Sequence, residues 1–227
     1  MNGNYRHEYK FLISRSAAQL LKLRLPHIMQ RDPHAGADGR YIIRSLYFDD
    51  PRHTAFLEKV DGVDDRTKYR IRCYNYDASA FHLERKEKKG NLTRKTGQVI
   101  TARDAMALQH RDILGCPDTP EGLTEELRLL CSTGSLRPMV LVDYDRTPFI
   151  CASGNTRITL DENLRTRPYC ADICASTQAL IPVLEPEEVI LEVKFDDFLP
   201  GHLSAALADI PKDPMAISKF AMCMNLM

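Results

Sequence analysis

The first pattern along the chain is alternation. In residues 5–13, YRHEYKFLI, Arg6, Glu8 and Lys10 fall on one side and Tyr5, His7, Tyr9 and Phe11 on the other, the two-residue period of a strand. The same period predicts strands over YIIRSLYFD (41–49), KYRIRCYNY from Lys68, FHLERKEK from Phe81 and LTRKTGQVI (92–100). RPMVLVDYDRTPFI (137–150), TRITLDENL (156–164) and VILEVKF (189–195) bring the total to about eight, with Pro148 marking an edge or bulge. Asp61-Gly62, Lys89-Gly90-Asn91 and Ser153-Gly154-Asn155 read as turns.

Helical spacing interrupts the strands. Ser14 caps a segment from Ala17 to Gln30 with Leu20, Leu21, Leu25 and Ile28 on one side. Pro51 opens a short helix through Lys59, Thr101 caps another to His110, and Leu123–Leu130 forms a third. A helical tail starts after Pro200-Gly201 and ends in a piece from about Ala216 to Met224, whereas 165–186, with three prolines, reads as a loop. Strands joined by turns and short helices, with no βαβ rhythm, predict an α+β fold: a single domain over 1–227 whose antiparallel sheet closes into an eight-stranded barrel.

Charge sharpens this picture. In the Lys68–Lys88 hairpin, Lys68, Arg70 and Arg72 lie opposite Tyr69, Ile71 and Cys73, while His82, Glu84 and Lys86 lie opposite Phe81, Leu83 and Arg85. Alone, this is a solvated face over a core face. Yet the i, i+2 pairs recur as Glu8 and Lys10 and as Glu192 and Lys194, and Arg146 and Arg157 sit in two further strands. The opposite faces offer Tyr9, Phe11, Ile71, Cys73, Ile190 and Val193, which suit packing under helices. A barrel with charge inside and helices outside satisfies both demands. Inward charges need partners, so such a tunnel would want a polyanion and a divalent metal.

Composition excludes several classes. Thirty-one basic and thirty-one acidic residues cancel, so a nucleic-acid coating role is not expected. No apolar run approaches the ~20 residues that span a bilayer, and MNGNYRHEYKF has no signal-peptide core. Seven cysteines (73, 116, 131, 151, 170, 174 and 223) include one close pair, Cys170 and Cys174, with no second pair at ligand spacing. Reduced thiols in a cytoplasmic protein are expected rather than a zinc site. His7, His53, His82 and His110 show no metal spacing, and no GxxxxGK[ST] loop is present.

The segments YRHEYKF, SLYFDD, KYRIRCYNY, HLERKEK, DYDRTPF, RITLDENL, LEVKF and SKF occur in an order that resembles VTC-type proteins, the polyphosphate polymerase domains of the triphosphate tunnel metalloenzyme (CYTH-like) superfamily. The resemblance runs from Tyr5 to Phe220. It implies an eight-stranded antiparallel tunnel and a phosphotransferase that moves the γ-phosphoryl group of ATP onto inorganic polyphosphate, with Mn²⁺ or Mg²⁺. By position it implies catalytic roles for Lys10, Arg70, Arg72, Lys86, Arg157 and Lys219, and phosphate binding by Arg94 (or Lys95), Arg146 and Lys194. Glu192 resembles the metal-holding carboxylate, with Glu84 and Glu8 as helpers. The resemblance further implies a cytoplasmic location beside a membrane-protein partner.

Two features depart from related patterns. Ala216 stands where some members carry a second lysine, and the chain ends soon after at Met227, which predicts a short closing helix. The hydrolases of the superfamily carry ExExK on the first strand, whereas this chain reads Arg6-His7-Glu8-Tyr9-Lys10. Fewer carboxylates favour transfer to a polyanion over metal-rich hydrolysis. A triphosphatase or polyphosphatase, and a non-catalytic polyphosphate-binding module, remain the alternative readings.

Overall fold

The computed structural model describes residues 7–90, 92–112, 121–168, 173–211 and 213–227. In chain order the elements are β1 (His7–Ser14), α1 (Arg15–Arg24), β2 (Gln30–Arg31), β3 (Tyr41–Asp49), α2 (Thr54–Val60), β4 (Arg66–Tyr74), β5 (Phe81–Lys89) and β6 (Leu92–Ile100). There follow α3 (Ala102–His110), α4 (Gly122–Ser132), β7 (Arg137–Cys151), β8 (Thr156–Pro168), β9 (Ile181–Pro182), β10 (Glu188–Phe195), α5 (Gly201–Ala206) and α6 (Lys219–Met224). The eight expected strands all form, and β2 and β9 are two-residue additions. Tyr5, Arg6, Asn91, Cys116, Pro117, Thr119, Pro120 and Cys170 lie outside the described residues.

Local chemistry explains the boundaries. Ser14 caps α1 by accepting from the Ala17 amide, and Thr101 and Asp104 close a capping box on α3. α1 is shorter than its apolar spacing predicts, because Pro26 brings no amide hydrogen and Leu25–His27 tightens into a 3-10 turn. β8 runs four residues into the expected loop, where the Thr166 hydroxyl donates to the Leu141 carbonyl at 2.8 Å. α6 starts at Lys219 rather than Ala216, since Met215 donates its amide to the Lys10 carbonyl at 2.7 Å and the Ile217 amide turns back to the Met215 carbonyl at 2.8 Å, which ties that stretch down outside the helix. Between β7 and β8, Gly154 has φ 62°, and a Cβ there would sit 2.4 Å from the Phe198 carbonyl oxygen.

The chain forms two compact units. The first comprises residues 1–42, 144–165 and 182–218, and its strands pair in the order β1-β10-β8-β7. α1 and the 3-10 turn after it cover one face, burying Ala18, Leu21 and Leu25 against Ile158, Leu160, Val189, Leu191 and Val193. The second comprises 43–143, 166–181 and 219–227, in the order β7-β3-β4-β5-β6. There α3 and α4 cover a face on which Leu46, Phe48, Ile71, Cys73, Phe81 and Leu83 pack with Leu108, Leu123 and Leu127. Every register resolved is antiparallel, with helices packed on the sheet, so the fold class is α+β.

The ladder is open among the described residues. β1 pairs only with β10 and β6 only with β5, so the expected closure into a barrel is not seen in the pairing. The free edge of β6 carries exposed Arg94 and Lys95, charged residues that discourage further strand addition. Ile190, expected beneath a helix, alternates instead onto the face of Glu192 and Lys194. Val189, Leu191 and Val193 take the helix side.

Candidate functional site

Each unit has a strand face turned away from its core helices, α1 in the first and α3 and α4 in the second. Nearly all the charged candidates lie on these two faces, and on that of the second unit α6 rests its Phe220 ring against Tyr47 and Lys68. In the first unit β10 lies between β1 and β8, so register sets Lys10 opposite Glu192 and Glu8 opposite Lys194. Across the other edge, Lys194 faces Arg157 and Glu192 faces Thr159. The result is a checkerboard of opposite charges. Lys194 Nζ lies 3.0 Å from Glu192 Oε1 and 3.8 Å from Glu8 Oε1, and Lys10 Nζ lies 3.0 Å from Glu8 Oε1 and 4.0 Å from Glu192 Oε1. Lys10 also donates to the Ile217 carbonyl at 3.3 Å.

Arg146 anchors the same group from β7. Its Nε and Nη2 each donate to Asp161 at 2.7 Å, and Nη2 also reaches Glu192 Oε2 at 3.2 Å. Burial opposes the Arg146 charge, but Asp161 and Glu192 outweigh it and hold the guanidinium firmly protonated. Arg157 is engaged on the β2–β3 connection, donating to Asp32 Oδ2 at 2.7 Å and to the Tyr41 hydroxyl at 2.8 Å. Burial would raise the Asp32 carboxyl, yet hydrogen bonds from His34 and the Arg157 charge keep it below the usual range.

In the second unit β4 is paired on both sides. Arg72 faces Ser45 on β3 and His82 on β5, and Arg70 faces Tyr47 and Glu84. Arg70 donates through Nε to Glu84 Oε2 at 2.5 Å and through Nη1 to the Tyr47 hydroxyl at 2.8 Å, and Arg72 donates to Ser45 Oγ at 3.2 Å. Lys95 Nζ meets the other Glu84 oxygen at 2.5 Å. Burial pushes the Glu84 carboxyl up, but Arg70, Arg72 and Lys95 prevail and hold it at about 2. Burial likewise resists ionisation of the Tyr47 phenol, and the two arginines still draw its pKa below the ordinary value. The Tyr47 ring stacks on Phe220 at 4.9 Å, in the residue after Lys219 at the start of α6.

The expected tunnel-wall residues differ in depth. Arg72 is 8% exposed and the Arg70 side chain 23%, whereas Lys86 is exposed. Arg94 is not brought to this group. It alternates to the opposite face and lies 3.5 Å from Glu87, while its neighbour Lys95 takes the place beside Glu84. His82 shares the charged face and meets Tyr74 edge-on at 5.5 Å.

The family model described as "VTC domain" matches residues 5–227. The chain belongs to the VTC domain family. No curated protein matches it. Among solved structures, a candidate adenylate cyclase from Bacillus halodurans is similar at 15% identity over 92% of this chain and 89% of that one, with a TM-score of 0.53. A protein from Pyrococcus horikoshii is 11% identical over 96% and 99%, with a TM-score of 0.48. At 15% identity the first likeness is one of fold.

In this VTC domain the side chains that could hold a divalent metal would offer oxygens. Glu8 and Glu192 turn their Oε1 atoms to the same two ammonium groups, and hard carboxylate oxygens suit Mg²⁺ or Mn²⁺. Among the described residues no three His, Cys, Asp or Glu side chains gather as a metal cluster, so two carboxylates fit only with phosphate or water oxygens completing the shell. Glu84, the third expected ligand, belongs to the second unit and is held by Arg70 and Lys95. Of the cysteines, Cys73, Cys131 and Cys223 are buried and Cys151 and Cys174 half-buried, all unbridged.

Sequence reading did not name Asp161, Asp32 or Tyr41 as parts of these groups. Asp161 alternates with Arg157 and Thr159 along β8, so parity within RITLDENL was a usable signal. Asp32 and Tyr41 bound a polar loop and carried none.

Proposed function

We propose that this VTC domain is a divalent-metal-dependent polyphosphate polymerase that transfers the γ-phosphoryl group of ATP to a growing inorganic polyphosphate chain. A closed eight-stranded barrel around a basic tunnel is part of the same proposal. The observation that carries the reading is the surplus of cations on the face of the second unit opposite α3 and α4. Arg66, Lys68, Arg70, Arg72, Lys86, Lys88 and Lys95 share that face with the carboxylates Asp49 and Glu84. Asp49 is already occupied, accepting from the amides of Asp50, Ala55 and Phe56. Membership of the family and the fold likeness support the reading further.

The chemistry follows from charge. Phosphoryl transfer needs alignment and neutralisation more than a protein nucleophile. Arg70 and Arg72 present planar guanidinium forks that suit phosphate oxygens, with Lys86 as a point charge beside them. Arg157 and Lys219 serve the same end, and Lys10 and Lys194 hold Glu192 in place until substrate arrives. Glu192 and Glu8 would hold the metal, which when bound neutralises charge on the phosphoryl and leaving-group oxygens. A terminal oxygen of the chain attacks the γ-phosphorus, the bond to the β,γ-bridging oxygen breaks, and ADP leaves.

Incubation of the purified protein with ATP and Mn²⁺, resolved on a gel, tests this. A ladder of polyphosphate supports the polymerase, whereas free phosphate without polymer replaces it with a hydrolase. Binding of polyphosphate without turnover leaves the non-catalytic module. Glu192→Gln is expected to abolish synthesis while the protein stays folded, at some cost in stability from the lost ion pairs, and full activity in that variant would refute the metal assignment.

A further inference from the structure

On the side of the second unit covered by α3 and α4, two cysteines from distant parts of the chain meet. Cys73 lies on β4 and is fully buried, and Cys174 lies between β8 and β9 and is half-buried. Cys174 packs against the core that contains Cys73, and the two thiols hydrogen-bond to each other. The sequence sets Cys174 four residues from Cys170, yet the thiol it meets among the described residues is Cys73.

Buried side chains hold this contact in place. Register sets Arg44 on β3 directly opposite Cys73. The Arg44 guanidinium donates through Nη1 to the carbonyls of Ile173 at 3.2 Å and Ala175 at 2.7 Å, the residues on either side of Cys174. The Ile173 amide in turn donates to Gln109 Oε1 on α3 at 3.0 Å. Asp143 on β7 and the Tyr76 ring, 4.2 Å from the guanidinium carbon, fix Arg44 itself. The backbone around Cys174 is therefore pinned against β4 before any bond forms, which lowers the entropic cost of bringing the sulfurs together.

We propose that Cys73 and Cys174 are a reversible dithiol–disulfide pair, a modification site for low-molecular-weight disulfides of the glutathione class, whose closure staples β4 to the segment after β8. The strand so fastened is the one that carries Arg70 and Arg72, but the inference does not depend on what those arginines bind.

The order of events follows from exposure. Burial and then the neighbouring Cys174 push the Cys73 thiol up to about 12 against the pull of Arg44, so Cys73 is not the first to react. Cys174, which solvent reaches, attacks one sulfur of the small disulfide. That S–S bond breaks, and the first small thiol leaves with the proton that Cys174 gave up. Cys73 Sγ then attacks Cys174 Sγ, the mixed S–S bond breaks, and the second small thiol leaves with the Cys73 proton. Two electrons pass from the pair to the small disulfide, and excess reduced thiol runs both steps backwards.

The test equilibrates the protein in buffers of defined oxidised-to-reduced glutathione ratio, blocks remaining thiols by alkylation after unfolding, and maps the peptides by mass spectrometry. Two peptides joined through Cys73 and Cys174, short of both thiol hydrogens and separated again by dithiothreitol, are expected. Because the bridge closes a loop of about 100 residues, the oxidised protein is expected to unfold about 5–10 °C higher than the reduced one. Cys174→Ser, which leaves the core thiol in place, is expected to lose both the bridge and the shift, and Cys170→Ser to keep both. Three results would each overturn the proposal: Cys73 alkylated throughout, a glutathione adduct on Cys174 that does not resolve, or a bridge from Cys174 to Cys170. An equal thermal shift in Cys174→Ser overturns it as well.

Discussion

Arg146 and Asp161 hold each other through two parallel hydrogen bonds of 2.7 Å, Nε to Oδ1 and Nη2 to Oδ2. The pair is buried, and the same guanidinium steers Glu192 through its third contact. Arg146 thus couples the integrity of the first unit to the carboxylate assigned to metal. Asp161→Asn is expected to cost about 3 kcal/mol in urea unfolding, the lower end for a broken buried pair because Glu192 still compensates part of the charge. A loss below about 1 kcal/mol would mean that the pair carries little of the stability.

Glu84 gives a pH signature. Its carboxyl falls from an ordinary 4.5 to about 2 in the folded protein, so its ion pairs contribute stability that is fully present above about 4.5 and is lost as pH falls towards 2. The shift corresponds to at most about 3 kcal/mol. Wild type and Glu84→Gln, compared by denaturant unfolding across that acid window, are expected to differ at neutral pH and converge at its lower end. Parallel profiles would count against the ion-pair assignment.

Arg44 and Asp143 form a fully buried ion pair in the second unit, Nε to Oδ2 at 2.8 Å, and Arg44 also donates to the carbonyls of Ile173 and Ala175. Asp143→Leu alone is expected to destabilise by about 3–5 kcal/mol, leaving an uncompensated buried charge. The double variant Arg44→Met, Asp143→Leu is expected to recover most of that loss. A double variant as unstable as the sum of the singles would show that the pair is not coupled.

Thr101→Ala removes one half of the capping box on α3. A loss of about 1 kcal/mol is expected, with the strand register and any phosphate binding unchanged. Thermal unfolding together with tripolyphosphate binding separates the two effects.

Much of this architecture was legible in alternation, because a strand's parity fixes which residues share a face. Glu8 with Lys10, Arg70 with Arg72, and Glu192 with Lys194 fell out of that rule directly. Caps were legible for the same local reason, as at Ser14 and Thr101. Arg94 was misplaced by one position because a single-residue uncertainty at the β5–β6 turn flips every side chain of the following strand. Lys89 pairs with Leu92, and that register turns Lys95 to the charged face. Arg44 gave no sign at all. It sits within the apolar run YIIRSLYFD, and its partner lies far along the chain on β7. Long-range pairing of that kind is decided by tertiary packing rather than by any local period, and the grip of Asp32 and Tyr41 on Arg157 has the same origin.

The pairing of β1 with β10 has a kinetic side. His7 meets Phe195, so β1 is synthesised long before β10, the strand it pairs with. At ordinary elongation rates that wait is roughly ten to forty seconds, during which both edges of β1 stay unpaired. Apart from the two-residue β2, every other strand of the first unit is also synthesised after β3, α2 and β4 to β6, whose hairpin partners follow within seconds. Vectorial synthesis therefore lets the middle of the chain fold early. β1 is left as the segment most in need of a chaperone, and as the slow step in refolding from denaturant.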